Sequence, residues 1–166
     1  MLRRAFTLVE IIIVVIIIGL LAGIVLSQFR DPGNDARAAS LQANLKEFRK
    51  QLQLYKVDHQ GALPAAKQGD TDATFIAQMT RYTDVDGNTR GYPDEDTYKF
   101  GPYVDSIPAN PVSGLRDIRI VQNARMRFRA RGRDGGWWYN AATGEFRADL
   151  GDDCVVPDGI TRLNEL

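Results

Sequence analysis

Arg4-Ala5-Phe6-Thr7-Leu8-Val9-Glu10-Ile11, followed by an apolar run to Leu26, is the stretch on which the reading of this chain turns. From Ile11 to Leu26 there is no charged or strongly polar side chain. Phe6 to Leu26 is about 21 residues, roughly 30 Å as a helix, enough to span the hydrocarbon core of a bilayer. The β-branched run Ile11 to Ile18 is only a modest helix former in water. In lipid the backbone can bond only to itself, so the helix is expected there. Arg3 and Arg4 precede the run, which predicts a cytoplasmic N-terminus and everything after Leu26 outside the cytoplasm.

Glu10 is the anomaly in this run. A carboxylate at mid-bilayer costs a few kcal/mol, less near the interface, and marks a functional site by default. Arg3 and Arg4 are candidate partners in the intact chain. If the chain were cut after Ala5, the new α-amine of Phe6 would lie one helical turn from Glu10, and a neighbouring copy's amine could also reach it. An ordinary signal peptide, the simpler reading of a basic stub before an apolar run, rarely carries Glu so early in its core.

The octet from Arg4 to Ile11 resembles the class III signal of type IV prepilins and type II secretion pseudopilins. The resemblance implies cleavage between Ala5 and Phe6 by a prepilin peptidase, which then N-methylates Phe6. It implies that Glu10 docks against a neighbour's N-terminal amine in a growing filament, with Thr7 and Gly19 as further assembly positions. The family usually has Gly before the cut, where this chain has Ala5.

Working outward, Arg30-Asp31-Pro32-Gly33 predicts a break or kink near Pro32. Leu41, Leu45, Phe48, Leu52 and Tyr55 then recur at spacings of four and three, an apolar stripe on a helix over 34–60. Lys46, Arg49, Lys50 and Gln53 lie off the stripe. Asn34 or Asp35 is the expected cap, and Gly61 and Pro64 the expected end. Asp72 to Tyr82 reads as a short amphipathic helix with Phe75, Met79 and Tyr82 on one side. Thr83 to Gly114, rich in Gly, Pro and Asp, reads as irregular. Ile118 and Ile120 alternate with polar neighbours as in a strand. Arg125 to Arg133 alternates strictly, which predicts Met126, Phe128 and Ala130 inward and five arginines outward. Asp134-Gly135-Gly136 reads as a turn, Trp137 to Asn140 as a strand, and Glu145 to Ala148 as its returning partner. The tail after Gly151 reads as polar and loosely tied.

A second resemblance lies in this part. Gly101-Pro102-Tyr103, Ile107-Pro108-Ala109-Asn110-Pro111 and Gly136-Trp137-Trp138-Tyr139-Asn140 with Thr143-Gly144-Glu145 are similar to the loop and terminal hairpin of proteins like the major pseudopilin of type II secretion. That family binds calcium in a late loop. Here Asp84-Val85-Asp86-Gly87-Asn88 looks like the start of a calcium loop, and Glu95 falls at its twelfth position. Gly87 falls at position four, whereas the loop needs Gly at six. Asp84, Asp86 and Asn88 are therefore weak metal candidates, and a turn built from Asp, Gly and Asn is the simpler reading. No cofactor is expected, with calcium at a site other than an EF-hand loop as the alternative.

The whole composition excludes several classes. Lys+Arg and Asp+Glu both total 21, so no charge bias points to nucleic acid. The arginine row could meet an anionic partner, but no aromatic residue interleaves on its face. Cys154 is the single cysteine and His59 the single histidine, which leaves little for thiol or His-ligated metal chemistry. There is no P-loop, nucleophile elbow or H-E-x-x-H motif. The expectation is thus a non-enzymatic α+β, pilin-like chain. Residues 1–5 form the leader, 6–29 the membrane-spanning or filament-core helix, 34–150 the head and 151–166 the tail. The long N-terminal helix packs on an antiparallel sheet of three to four strands. The expected role is a subunit of a type II secretion pseudopilus in the bacterial inner membrane, with a periplasmic head. Its expected partners are other pilins, the peptidase, an inner-membrane assembly platform and the bilayer. The competing roles are a type IV pilus subunit for adhesion, motility or DNA uptake, and a membrane-tethered binding domain.

Overall fold

The computed structural model describes residues 8–26, 32–130, 132, 135–151 and 154. The chain divides into two compact units, 1–32 and 33–166, each considered by itself. The first contains helix α1, Leu8–Leu26. Leu8, Val9, Ile11 to Ile18, Leu20 and Leu21 are all exposed, between 46% and 76%. Among the described residues no helix is long and apolar enough to cross a membrane. The expected span, 6–29, is longer than α1 at both ends. Phe6, Thr7 and residues 27–29 lie outside the described residues, as do Arg30 and Asp31 of the expected kink.

Helix α2, Pro32–Asp58, forms the start of the second unit from Gly33 onward. Pro32 stands at its first position, where a missing N–H costs nothing and a fixed φ favours the helix. The cap expected from Asn34 or Asp35 is therefore corrected: both lie inside the first turn, where Asp35 complements the helix dipole. Ala38, Leu41, Leu45, Phe48, Leu52 and Tyr55 are buried, so the apolar stripe is the core face. The helix ends in a Schellman turn. The Gly61 N–H donates to the Lys56 carbonyl at 2.8 Å, with Gln60 in the left-handed region at φ 57°.

Helix α3 spans Asp72–Thr80 and buries Phe75 and Met79. Tyr82 is not part of it. It opens strand β1, Tyr82–Thr83, which pairs antiparallel with β2, Thr89–Arg90. This small hairpin lies in the stretch expected to be irregular. Strands of two residues are too short to show a period.

The main sheet has three strands in the order β3-β4-β5: Ile118–Val121, Trp137–Asn140 and Glu145–Ala148. The β4–β5 pair is the expected antiparallel hairpin. The β3–β4 pair is parallel, with Ile118 opposite Trp137 and Val121 opposite Asn140, so the expected all-antiparallel sheet is corrected. The cause is the segment between them. Among the described residues of 122–136 there is no strand, and Met126 is 49% exposed rather than inward. A strand with arginines on one face could bury only its other face. Trp137 to Asn140 are buried at every position, so they gain far more by taking the place beside β3. The route is made possible by two glycines. A Cβ on Gly136 would lie 2.5 Å from the Asp117 carbonyl oxygen, and one on Gly135 only 2.2 Å from that of Asp149. Gly135-Gly136 is therefore a passage between two backbones and not a simple turn.

The core is aromatic. Phe48 of α2 stacks on Phe146 of β5 at 4.6 Å and faces Phe75 of α3 at 6.2 Å. Trp137 and Phe146 stack at 5.2 Å. The polar ends of the large rings are satisfied, as burial requires. The Trp137 indole donates to the Pro108 carbonyl at 2.8 Å and the Tyr139 hydroxyl to that of Pro64 at 3.2 Å. At the tail, the buried Gly151 donates its N–H to the Gly132 carbonyl, and Cys154 is buried in the core. The expectation of a loosely tied tail is corrected at these two residues, and the rest of 151–166 lies outside the described residues.

Candidate functional site

Ala5, Phe6 and Thr7 lie outside the described residues. Glu10 and Gly19 are both on α1. Glu10 is exposed in the first turn, where the unpaired N–H groups of a helix favour a carboxylate. A Cβ on Gly19 would meet nothing within 4 Å, so this glycine is not required by packing within the chain. Nine residues separate the two, about 2.5 turns at 3.6 residues per turn, which puts them on opposite faces of α1. One neighbouring helix cannot rest on both. An assembly that uses both must bring more than one neighbour against the helix.

In the head, the first loop motif singled out in the sequence packs on α2 and α3, and the second bonds to the start of β4. Gly101 adopts φ 75° before a cis peptide to Pro102. The N–H groups of Tyr103 and Val104 both donate to the Met79 carbonyl at 3.0 Å, closing the end of α3. The Tyr103 hydroxyl donates to the Asp58 carboxylate at 2.9 Å. Burial and this bond push its phenol pKa up. Asn110 Nδ2 donates to the Gly136 carbonyl at 2.8 Å and helps hold the glycine passage. These residues serve packing: Tyr103 joins α2 to α3, and Asn110 braces the entry to the hairpin.

The candidate metal residues form the β1–β2 turn. Asp84 Oδ1 accepts the N–H groups of Asp86 at 3.0 Å and Asn88 at 2.8 Å, and Oδ2 accepts Asn88 Nδ2 at 2.7 Å. Burial would raise the Asp84 pKa, but the bonds from Asn88 and Asp86, with Lys67 nearby, outweigh it and hold the pKa low. Its carboxylate thus organises the turn. Among the described residues no group of three His, Cys, Asp or Glu is placed to hold a metal ion. His59 is a satisfied core residue. Its ring stacks on Tyr55 at 3.7 Å, Nδ1 lies 2.7 Å from the Tyr55 carbonyl, and Nε2 lies 3.0 Å from Thr83 Oγ1.

Two features were not legible in the sequence. Arg119 of β3 grips the buried Asp149 through two bonds, Nε to Oδ2 at 2.9 Å and Nη2 to Oδ1 at 2.7 Å, and also donates to the Arg129 carbonyl. This fork ties the segment after β3 to the end of β5. Arg125, Arg127 and Arg129 are exposed, whereas Arg131 and Arg133 lie outside the described residues. The second feature is a groove of about 500 Å³ between α2 and β5, lined by Arg49, Lys50, Gln53 and residues 143–147. Arg49 donates Nε and Nη2 to the Phe146 carbonyl at 3.2 and 3.0 Å. Those bonds occupy an edge-strand acceptor that would otherwise be open to another chain.

The chain thus holds an apolar helix whose described side chains, Leu8 to Ala22, are all exposed, and an α+β unit with a core of its own. The chain is 36% identical over 67 residues to type II secretion system core protein G of Pseudomonas aeruginosa. The match covers 40% of this chain and 46% of that protein, so the chain spans about half the length of the relative it matches. This similarity supports the pseudopilin resemblance carried by residues 4–11. No protein-family profile matches the chain, and no solved structure matches it.

Proposed function

We propose that this chain is a non-enzymatic filament subunit of a type II secretion pseudopilus. The observation that carries the reading is α1, whose apolar residues are exposed all round the helix. A helix of that kind is stable only when lipid or other helices cover it. In this reading a prepilin peptidase removes Met1 to Ala5 and methylates Phe6. The apolar stem, extended to 6–29, waits in the inner membrane with the head in the periplasm. An assembly platform then moves it into a bundle of stems, and apolar burial holds the bundle. Glu10, paired with a neighbour's Phe6 amine, sets the register. Breaking a buried pair by removing one partner costs about 3–5 kcal/mol. The exposed arginines at 125, 127 and 129 favour the alternative of a surface pilus that meets an anionic partner.

The test is the intact mass and N-terminal peptide map of the protein from native membranes, followed by the variant Glu10→Val. Processing predicts a chain beginning at N-methyl-Phe6. The docking role predicts that Glu10→Val inserts normally but is absent from filaments. A mature chain still beginning at Met1, or normal incorporation of the variant, would overturn the respective step. Pili visible outside the cell would decide for the surface-pilus alternative.

A further inference from the structure

The groove between α2 and β5 and the loop after β2 have opposite charge. Arg49, Lys50 and Arg147 line the groove, and Glu145, the only carboxylate among its described lining residues, pairs with Arg147, so the groove is net basic. Arg49 is held in place by the Phe146 carbonyl, so its charge is fixed and half-buried. Burial and the nearby Arg147 lower its pKa, and the nearby Glu145 acts against them. Lys50 is exposed, and among the described residues its ammonium has no carboxylate partner.

The loop Asp94-Glu95-Asp96 carries three successive carboxylates. It is ordered by its own bonds. The Asp94 N–H donates to the Tyr98 carbonyl at 3.1 Å, the Asp96 N–H to Asp94 Oδ1 at 3.1 Å, and Arg90 pairs with Asp94 at 3.4 Å. Glu95 and Asp96 are exposed, and among the described residues neither has a cationic partner. A tip that is already ordered loses little freedom on docking.

We propose that the Asp94-Glu95-Asp96 loop of one copy seats in the Arg49-Lys50-Arg147 groove of the next copy. The partner is a second copy of this chain, argued from the charge complementarity of two features on one head. The inference rests on the filament reading above and adds a head-to-head contact to it. The two surfaces differ, so the contact is heterologous. It repeats from copy to copy without closing a pair, as a filament requires. The balanced total charge, 21 cations against 21 anions, leaves no global repulsion between copies.

The test uses the full-length chain in native membranes, with a Cys154→Ala background so that no other thiol is present. Two differently tagged copies are co-expressed, one with Lys50→Cys and one with Glu95→Cys, and oxidised. The expected result is a cross-linked heterodimer at least tenfold more abundant than with Arg127→Cys in place of Lys50→Cys. It should fall several-fold in 1 M salt applied before oxidation, because exposed charges are then screened. A stem pair, Ile16→Cys in both copies, reports assembly separately. Cross-linking through the stem without cross-linking through Lys50 and Glu95 would overturn the head contact and leave the filament reading standing. Cross-linking through neither would overturn both. Charge reversal checks the result without thiols: Lys50→Glu should reduce copies recovered in filaments, and adding Glu95→Lys should restore them. Lys50→Glu assembling like the parent would also overturn the contact. Both residues are exposed, so neither change disturbs the core.

Discussion

Asp84 shows how one residue's chemistry is decided by its neighbours. Its two oxygens take three bonds from the β1–β2 turn, and its pKa lies below the ordinary aspartate value of about 3.9. A carboxylate with a lowered native pKa adds stability above its unfolded pKa. That stability is lost as pH falls through the native value. Asp84→Asn keeps an oxygen for the two backbone donors but loses the acceptor for Asn88 Nδ2. It should cost about 1 kcal/mol at pH 7, with the gap to the parent closing in acid, once the pH falls through the lowered native value. Urea denaturation at neutral pH and in acid would check this, and a gap that widened in acid would contradict it. The D-x-D-G-N pattern was visible in the sequence. That its first carboxylate is spent on its own turn depended on the backbone closing around it. Arg119 was less legible still, since Asp149 lies 30 residues away.

At the scale of elements, local periodicity was the reliable signal. Helix α2 buries the five stripe residues, and α3 buries Phe75 and Met79, because the 3.6-residue repeat is set along one stretch of chain. The strongest prediction here concerns Phe48, which lies between Phe75 and Phe146. Phe48→Ala should cost about 3–5 kcal/mol, measured by the shift of the denaturation midpoint. The arginine row misled for a physical reason. Alternation says which side chains share a face, but not whether a neighbouring strand is present. The place beside β3 went to β4, reached through Gly135-Gly136. Gly136→Ala should therefore destabilise the head by about 2–3 kcal/mol, through its clash with the Asp117 backbone. An unchanged thermal midpoint in that variant would show that the passage can widen freely.

At the scale of the whole molecule, the two units have different needs. Every residue of the hydrophobic core cluster lies within 33–166. The head should therefore keep its stability, within about 0.5 kcal/mol, when residues 1–32 are removed, and unfold in one transition. Chemical denaturation of the 33–166 fragment beside the detergent-solubilised full chain would measure it. A large loss would mean that the stem supports the head. The stem itself should be insoluble without detergent, lipid or partner stems, because its apolar side chains are uncovered.

The sequence by itself determined the apolar stem, the odd carboxylate at Glu10, the core stripe of α2 and the β4–β5 hairpin. Each is written in neighbouring residues, as a run, an exception to a run, a helical period or a short turn between strands. The tertiary structure alone decided the parallel pairing of β3 with β4, the fate of the arginine row, the Arg119–Asp149 fork and the basic groove. Those depend on which distant segments compete for one place in the sheet. The outcome is set by total buried area and by backbone passages that only glycine allows, and no local pattern contains either.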